Sequence, residues 1–416
     1  MGRRLSIAAS LLALVPAGAA AASAHAASGK PAQTWAAAEI STVTAAGLMG
    51  ATGPADFRPA DDLTAQTLED LVFGLKQTVS PPAPVPPPAD PSVPSPSVPS
   101  PSIPNPSGPA PTAPGTTTAT APTTTTAPAT TTAPTVTTPA PVPPPGAPRK
   151  AANPDAPVTM ARLDLRLVQI LGLSKAANEF AAGARAAGLK VPGRFGTEVV
   201  ARLLGLRTNH PASEDPLELR PNDRATRAEA AYSAAQVLHF TGWEAASVQS
   251  LADGFALPQL SNWQTQILDT AVARIGMPYI WGGTSDGPES PFGVSSRGGY
   301  DCSGFVWRVY KLESYPGSGS LPLVLRGRTT FQMSVEVPAS ERIALADLQP
   351  ADVIFFGDRG PRSTGAQVGH MGIYVGNGWF IHSSGQGVAL ARLDDGWYKR
   401  EFAWGRRPLA EAGLTG

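Results

Sequence analysis

Residues 79–152 are nearly all Pro, Ser, Thr, Ala and Val, and this stretch limits the possible folds more than any other feature. A Pro/Ser half (PSVPSPSVPSPSIPNPS) runs into a Thr/Pro/Ala half (TTTATAPTTTTAPATTTAPTVTTPAP). So little apolar surface does not repay the entropy of ordering, so the segment is expected to be an extended, solvated, disordered linker. In polyproline form, at about 3.1 Å per residue, it would reach on the order of 200 Å. The 416 residues are therefore read as folded parts on either side of a tether.

The first 26 residues look like those of an exported protein. Arg3 and Arg4, the apolar run Leu5 to Val15 and the small-x-small site Ala24-His25-Ala26 read as a signal peptide over residues 1–26. That run is too short to span a bilayer, and no later segment reaches the roughly 18 apolar residues a span needs. The expected location is secreted or in the cell wall. With 32 basic and 32 acidic residues the formal charge is zero, which gives no electrostatic case for nucleic acid or an anionic membrane as partner. Cys302 is the one cysteine, so no internal disulfide forms, and a free thiol outside the cell is exposed to oxidation. Such a residue is either buried and inert or a nucleophile.

A weak repeat flanks the tether, at 31–78 and 153–250. FRPADDLTAQTL (57–68) aligns without gaps on LRPNDRATRAEA (219–230), and NPDAPVTMARLD (153–164) shares the frame. In each copy a Pro stands five residues before a Thr: Pro59/Thr64, Pro154/Thr159 and Pro221/Thr226. The Thr suits a helix N-cap, and Leu68, Leu71, Val72 and Leu75 follow at helical spacing in the first copy. Ahead of it, TWAAAEISTVTAAGLMG (34–50) predicts a short helix ended by Gly. This layout, with Thr226-Arg227-Ala228-Glu229 at a helix start, resembles the S-layer homology repeat. The resemblance implies a helical module that holds secondary cell-wall polymers; the residues alone read equally as a helical spacer.

From about 258 to 410 the composition is that of a folded domain. Trp263 to Ile275 has helical spacing and is broken by GMPYIWGGT. A Gly/Ser/Pro-rich stretch, Thr284 to Gly299, precedes YDCSGFVWRVYKLE, in which Phe305, Val306, Val309, Tyr310 and Leu312 continue at helical spacing. Cys302 is thus expected at a helix N-terminus, where free N–H groups and the dipole favour thiolate. A nucleophile needs a base, and the base an orienting group. VIFFGDR (353–359), VGHMGIYVG (368–376) and WFIHSSGQGVALARL (379–393) predict three antiparallel strands. The turn Gly376-Asn377-Gly378 would put His370 and His382 on neighbouring strands. One His in a strand is more often structural than catalytic, but two beside a lone Cys reverse that preference. His25, His210 and His239 read as surface or core residues. A zinc site of Cys302, His370 and His382 is chemically conceivable but lacks clustered ligand spacing.

PYIWGGT, DCSGFVWRVY, PADVIFFG, GHMGIYVG and FIHSSGQGV stand in the order of the NlpC family of cell-wall cysteine endopeptidases, which residues 262–408 resemble. The resemblance implies an α+β, papain-like domain, with the Cys helix packed on an antiparallel sheet. It makes Cys302 the nucleophile, His370 the general base and His382 the orienting residue, with no cofactor or metal. Tyr279 matches a residue that lines the family site and helps hold the oxyanion. Asp301 and Ser303 match positions that meet the substrate's amino end. The implied substrate is the peptidoglycan stem peptide, cut at the γ-D-glutamyl–diamino acid bond through a thioester. Two alternatives stay open: a non-catalytic wall-binding protein, and an N-acetylmuramoyl-L-alanine amidase on the same fold. Thr284 to Gly299 is longer than the family's usual link and reads as a specificity loop or lid, or as an inert insertion. In LPLVLRGRTTFQMSVEVPASE (321–341), read as a second loop, Arg326 and Arg328 are candidates for attracting carboxylates.

Overall fold

The three Pro-to-Thr segments meet one another in the computed structural model, which describes residues 35–51, 53, 56–78, 146–208, 218–293, 295–394 and 396–414. The signal peptide at 1–26 and almost all of the linker at 79–152 lie outside the described residues. The residue before each Thr closes a ring of backbone hydrogen bonds. Leu63 N–H donates to Ala225 C=O (2.7 Å), Ala225 N–H to Val158 C=O (2.7 Å), and Val158 N–H to Leu63 C=O (2.9 Å). A second ring runs the other way: Ala65 to Ala156 (2.8 Å), Met160 to Asp223 (3.0 Å) and Arg227 to Asp61 (2.9 Å). The three copies are therefore arranged cyclically, although the linker separates the first from the second in sequence.

Each Thr then starts a helix. After α1 (Ala37–Ala45) come α2 (Ala65–Thr78) and α3 (Met160–Ile170), followed by α4 (Ser174–Ala186) and α5 (Phe195–Leu203). Next are α6 (Arg227–His239), α7 (Trp243–Asp253) and α8 (Asn262–Val272). Thr64, Thr159 and Thr226 accept from the N–H groups of Thr67, Arg162 and Glu229, caps that each contribute about 1 kcal/mol. Leu68, Leu71, Val72 and Leu75 are all buried, at about 1.5–3 kcal/mol each. The Gly that ends α1 is Gly47, at φ 70°.

Six charged side chains form a buried cluster in the helical region. Asp164, Glu198, Arg202, Arg207, Glu218 and Glu229 are all almost fully buried. Arg202 donates to Glu218 (3.1 Å) and to the Gly276 carbonyl (2.8 Å), while Arg207 also reaches Glu218 (3.3 Å). Burial pushes the Asp164 carboxyl up to about 7, and Arg207 opposes that rise. The cluster ties the helical region to the strip that leads into PYIWGG. Gly276 stands at φ 99°, and a Cβ there would come within 2.8 Å of the Glu198 carboxyl, so only Gly fits. The apolar core is also continuous across this join, with Phe180 and Phe255 packed edge-on against Trp379 at 5.7 and 5.3 Å.

The C-terminal part is a mixed helix-and-antiparallel-sheet fold. A two-stranded ladder joins β1 (Thr284–Ser285) to β2 (Gly299–Tyr300), and α9 (Cys302–Trp307), α10 (Leu321–Val324) and α11 (Thr330–Val335) follow. The main sheet comprises β3 (Val353–Gly357), β4 (Val368–Gly376), β5 (Trp379–Ser384), β6 (Gly387–Arg392) and β7 (Phe402–Arg406), with α12 (Gly396–Glu401) before β7. Its order is β6-β5-β4-β3-β7, antiparallel throughout. Two expectations change here. The run 379–393 is a hairpin of two strands, because Ser384 to Gly387 turns with Gly387 at φ 71°. The stretch 321–341 carries two short helices, α11 being started by a capping box of Thr329 and Gln332.

Candidate active site

Cys302 is the first residue of α9, and Asp301 is its N-cap. The Asp301 carboxylate accepts from Gly304 N–H, from Ser303 Oγ (2.8 Å) and from Gly282 N–H (2.9 Å). It also pairs with the Arg328 guanidinium at 3.4 Å. Arg328 in turn donates to Ser303 Oγ (2.8 Å) and to the Gly282 carbonyl (3.0 Å). One buried carboxylate thus holds together the Cys helix, the Gly-Gly turn after Tyr279 and the segment before α11. Gly304 permits the close fit, since a Cβ there would lie 1.8 Å from the Gly283 carbonyl oxygen.

The thiol itself is half-buried. Thr330 Oγ1 lies 3.4 Å from Sγ, and the backbone N–H groups of Ser303 and Met371 point at the sulfur. Met371 follows His370 on β4, so the sulfur is seated against the strand that carries the candidate base. The thiol differs electrostatically from the expected thiolate. Burial, and after it the Asp301 charge, push it up to about 11, against the smaller lowering effect of Thr330 and the two N–H groups. The helix end is already capped by Asp301, so the dipole's advantage is spent on a carboxylate instead of the sulfur.

His370 and His382 meet as the hairpin reading implied. His370 Nε2 and His382 Nδ1 are 2.8 Å apart. Gly372 makes room for this: a Cβ on it would stand 3.1 Å from His382 Cβ. Burial lowers His370 to about 4, and burial together with neighbouring His370 lowers His382 well below the ordinary imidazole range. Both rings rest among aromatic neighbours, with Phe356 5.6 Å from His370 and Phe380 4.9 Å from His382. With Nε2 engaged by His382, Nδ1 is the nitrogen of His370 left to face an incoming proton. It has no hydrogen-bond partner among the described residues.

Tyr279 is half-buried, and its phenol is pushed up by burial and then by the charges of Cys302 and Asp301. Cys302 and Asp301 are the ionisable groups near enough to act on it. Asp301 and Ser303 therefore lie with Cys302, but their polar atoms are engaged with each other and with Arg328. The long stretch before Cys302 is a tied hairpin. Glu289 accepts from the N–H groups of Thr284 (2.9 Å) and Ser285 (3.3 Å), and Asp286 pairs with Tyr300 and Arg274. At its tip Phe292 is 81% exposed at φ 51°, a strained conformation for an aromatic residue. Three neighbours of the site were missed in the sequence reading. Thr330 and the clamping role of Arg328 were hidden in a presumed loop, where the Thr329-x-x-Gln332 capping box was the available signal. Tyr398, whose hydroxyl is 3.3 Å from His382 Nε2, had no local signal at all.

The NlpC/P60 family model matches residues 276–407. Among curated proteins, the chain is 27% identical over 162 residues to the Gamma-D-glutamyl-L-lysine dipeptidyl-peptidase of Bacillus subtilis (strain 168), covering 38% of this chain and 46% of that protein. It is 32% identical over 144 residues to Murein DD-endopeptidase MepH of Escherichia coli (strain K12), covering 34% and 45%. It is 29% identical over 145 residues to the Probable peptidoglycan endopeptidase LytE of Bacillus subtilis (strain 168), covering 34% of each. The chain thus spans less than half the length of these relatives. The matched segment contains the Cys helix, the sheet and both histidines, and residues 276–407 are an NlpC/P60 domain.

Proposed function

We propose that this protein is a secreted peptidoglycan hydrolase, a cysteine endopeptidase that cuts stem peptides at the γ-D-glutamyl–diamino acid bond. The observation that carries this reading is the thiol of Cys302 held against β4, whose His370 is coupled at 2.8 Å to His382. In this mechanism the Cys302 proton passes to His370 Nδ1 as sulfur attacks the scissile carbonyl. The Tyr279 hydroxyl and the Cys302 backbone N–H are the donors for the developing oxyanion. His370 then returns the proton to the leaving amine, and water, deprotonated by the same imidazole, releases the acyl group from the thioester. Asp301 and Ser303 shape the substrate's amino side, with Arg328 holding both.

The relatives' names support peptidoglycan as substrate class while differing in the bond they state, so the bond is read from products. Purified chain and Cys302→Ala are incubated with peptidoglycan, and released muropeptides are identified by mass spectrometry. Fragments ending in γ-D-glutamate, absent with Cys302→Ala at unchanged circular dichroism, are expected. Equal release by the variant overturns the nucleophile; free L-alanyl peptides or split D,D cross-links replace the bond. No turnover with folded protein favours a non-catalytic wall-binding protein. The cyclic closure of the three repeat copies supports reading them as repeats. In this proposal they hold secondary wall polymers, and walls stripped of those polymers should bind the chain less.

A further inference from the structure

His382 is not the end of the chain of polar contacts behind the candidate base. Its Nε2 faces the hydroxyl of Tyr398 at 3.3 Å, and this is its hydrogen-bond partner among the described residues. Tyr398 lies on α12, in a nest of rings that fixes it: Phe380 at 5.0 Å, Trp397 at 5.1 Å and Phe356 at 5.5 Å. His382 is 2% exposed, so water has little access to replace that partner.

The protons along this line are interdependent. One hydrogen occupies the contact between His370 Nε2 and His382 Nδ1, and one ring donates it. For His370 to receive the thiol proton on Nδ1, its own hydrogen must sit on Nε2. His382 Nδ1 is then the acceptor, and the neutral His382 ring carries its hydrogen on Nε2. That N–H points at Tyr398, whose oxygen must accept it. In the opposite arrangement Tyr398 donates to His382 Nε2, His382 Nδ1–H donates to His370 Nε2, and His370 presents Nδ1–H to the sulfur. That arrangement has no base.

We infer that Tyr398 is a positioning residue for the proposed base: its hydroxyl oxygen accepts from His382 Nε2–H and so stabilises the tautomer of His370 that takes the Cys302 proton. The inference rests on the assignment of Cys302 and His370 proposed above. No covalent bond to Tyr398 forms or breaks. When the thiol proton moves to His370 Nδ1, the positive charge that develops is shared through the Nε2–H to His382 and onward to the phenol oxygen. A wrong tautomer behind a catalytic imidazole is a severe defect in hydrolases that use a similar line of groups.

The test is Tyr398→Phe, which removes one oxygen and keeps the ring that packs on Phe380 and Phe356. Steady-state hydrolysis of a soluble stem peptide is expected to lose tenfold or more in kcat, with KM within twofold and the thermal midpoint unchanged. Histidine ring nitrogens of ¹⁵N-labelled protein, read by long-range proton–nitrogen correlation, give the tautomers directly. The wild type should show His370 protonated on Nε2 and His382 on Nε2, and the variant a shift of His370 towards Nδ1–H. Unchanged kcat, or a wild-type His382 bare at Nε2, overturns the inference. The spectra also separate two failures. A wild type that cleaves no peptide defeats the proposed function, whereas the tautomers still decide the role of Tyr398.

Discussion

The resting Cys302–His370 pair is expected to be neutral, and the pH dependence of alkylation tests this. The thiol stands at about 11 and the imidazole at about 4. Over the pH range between these values the sulfur keeps its proton and the His370 ring is neutral, with a single N–H. At pH 7.5 the thiolate is then about three molecules in ten thousand, against about three in a hundred for a thiol at its ordinary value of 9.0. Iodoacetamide should therefore label Cys302 about a hundredfold more slowly than a small free thiol at that pH. The rate should climb about tenfold per pH unit from 6 to 10, without a plateau. Mass spectrometry of the intact protein follows the reaction, with folding checked at each pH by circular dichroism. Asp301→Asn keeps a cap for α9 but removes the charge that helps raise the thiol, so labelling at neutral pH should speed up by roughly three- to tenfold. A fast, level rate between pH 5 and 8 would mean a thiolate–imidazolium pair. It would refute the reasoning that burial and Asp301 outweigh the N–H groups around the sulfur.

Two substitutions probe how the site is held. Arg202→Met leaves Glu198 without its cation and Glu218 with Arg207 alone, in a dry interior, and frees the Gly276 carbonyl; unfolding in denaturant should show a loss of about 3–5 kcal/mol. A loss below about 1 kcal/mol would mean that the cluster is solvated. Gly304→Ala places a Cβ 1.8 Å from the Gly283 carbonyl oxygen and 2.9 Å from the Arg328 guanidinium, so α9 must move and peptidase activity should fall to background. Gly193→Ala, where a Cβ meets nothing within 4 Å, should leave activity unchanged.

The sequence by itself determined whatever is written in neighbouring residues. Pro-to-Thr spacing marked three helix starts, and the apolar period of α2 marked its buried face. The lone Cys at a helix start, with two His separated by Gly376-Asn377-Gly378, marked the candidate nucleophile and its partners. These signals are local because a cap, a helix face and a tight hairpin each involve only a few consecutive positions. What tertiary structure decided involves groups far apart in the chain. The ring of Leu63, Val158 and Ala225 closes across the linker, and Arg202 from a helix reaches Gly276 beside the candidate active site. Tyr398 joins His382 only because α12 folds over the sheet. The thiol's protonation belongs to this class as well. A helix start predicts a thiolate, yet the capping carboxylate and the burial supplied by β4 and α11 raise the thiol instead. A side chain's charge is set by everything packed around it, and adjacent letters record only a small part of that surrounding.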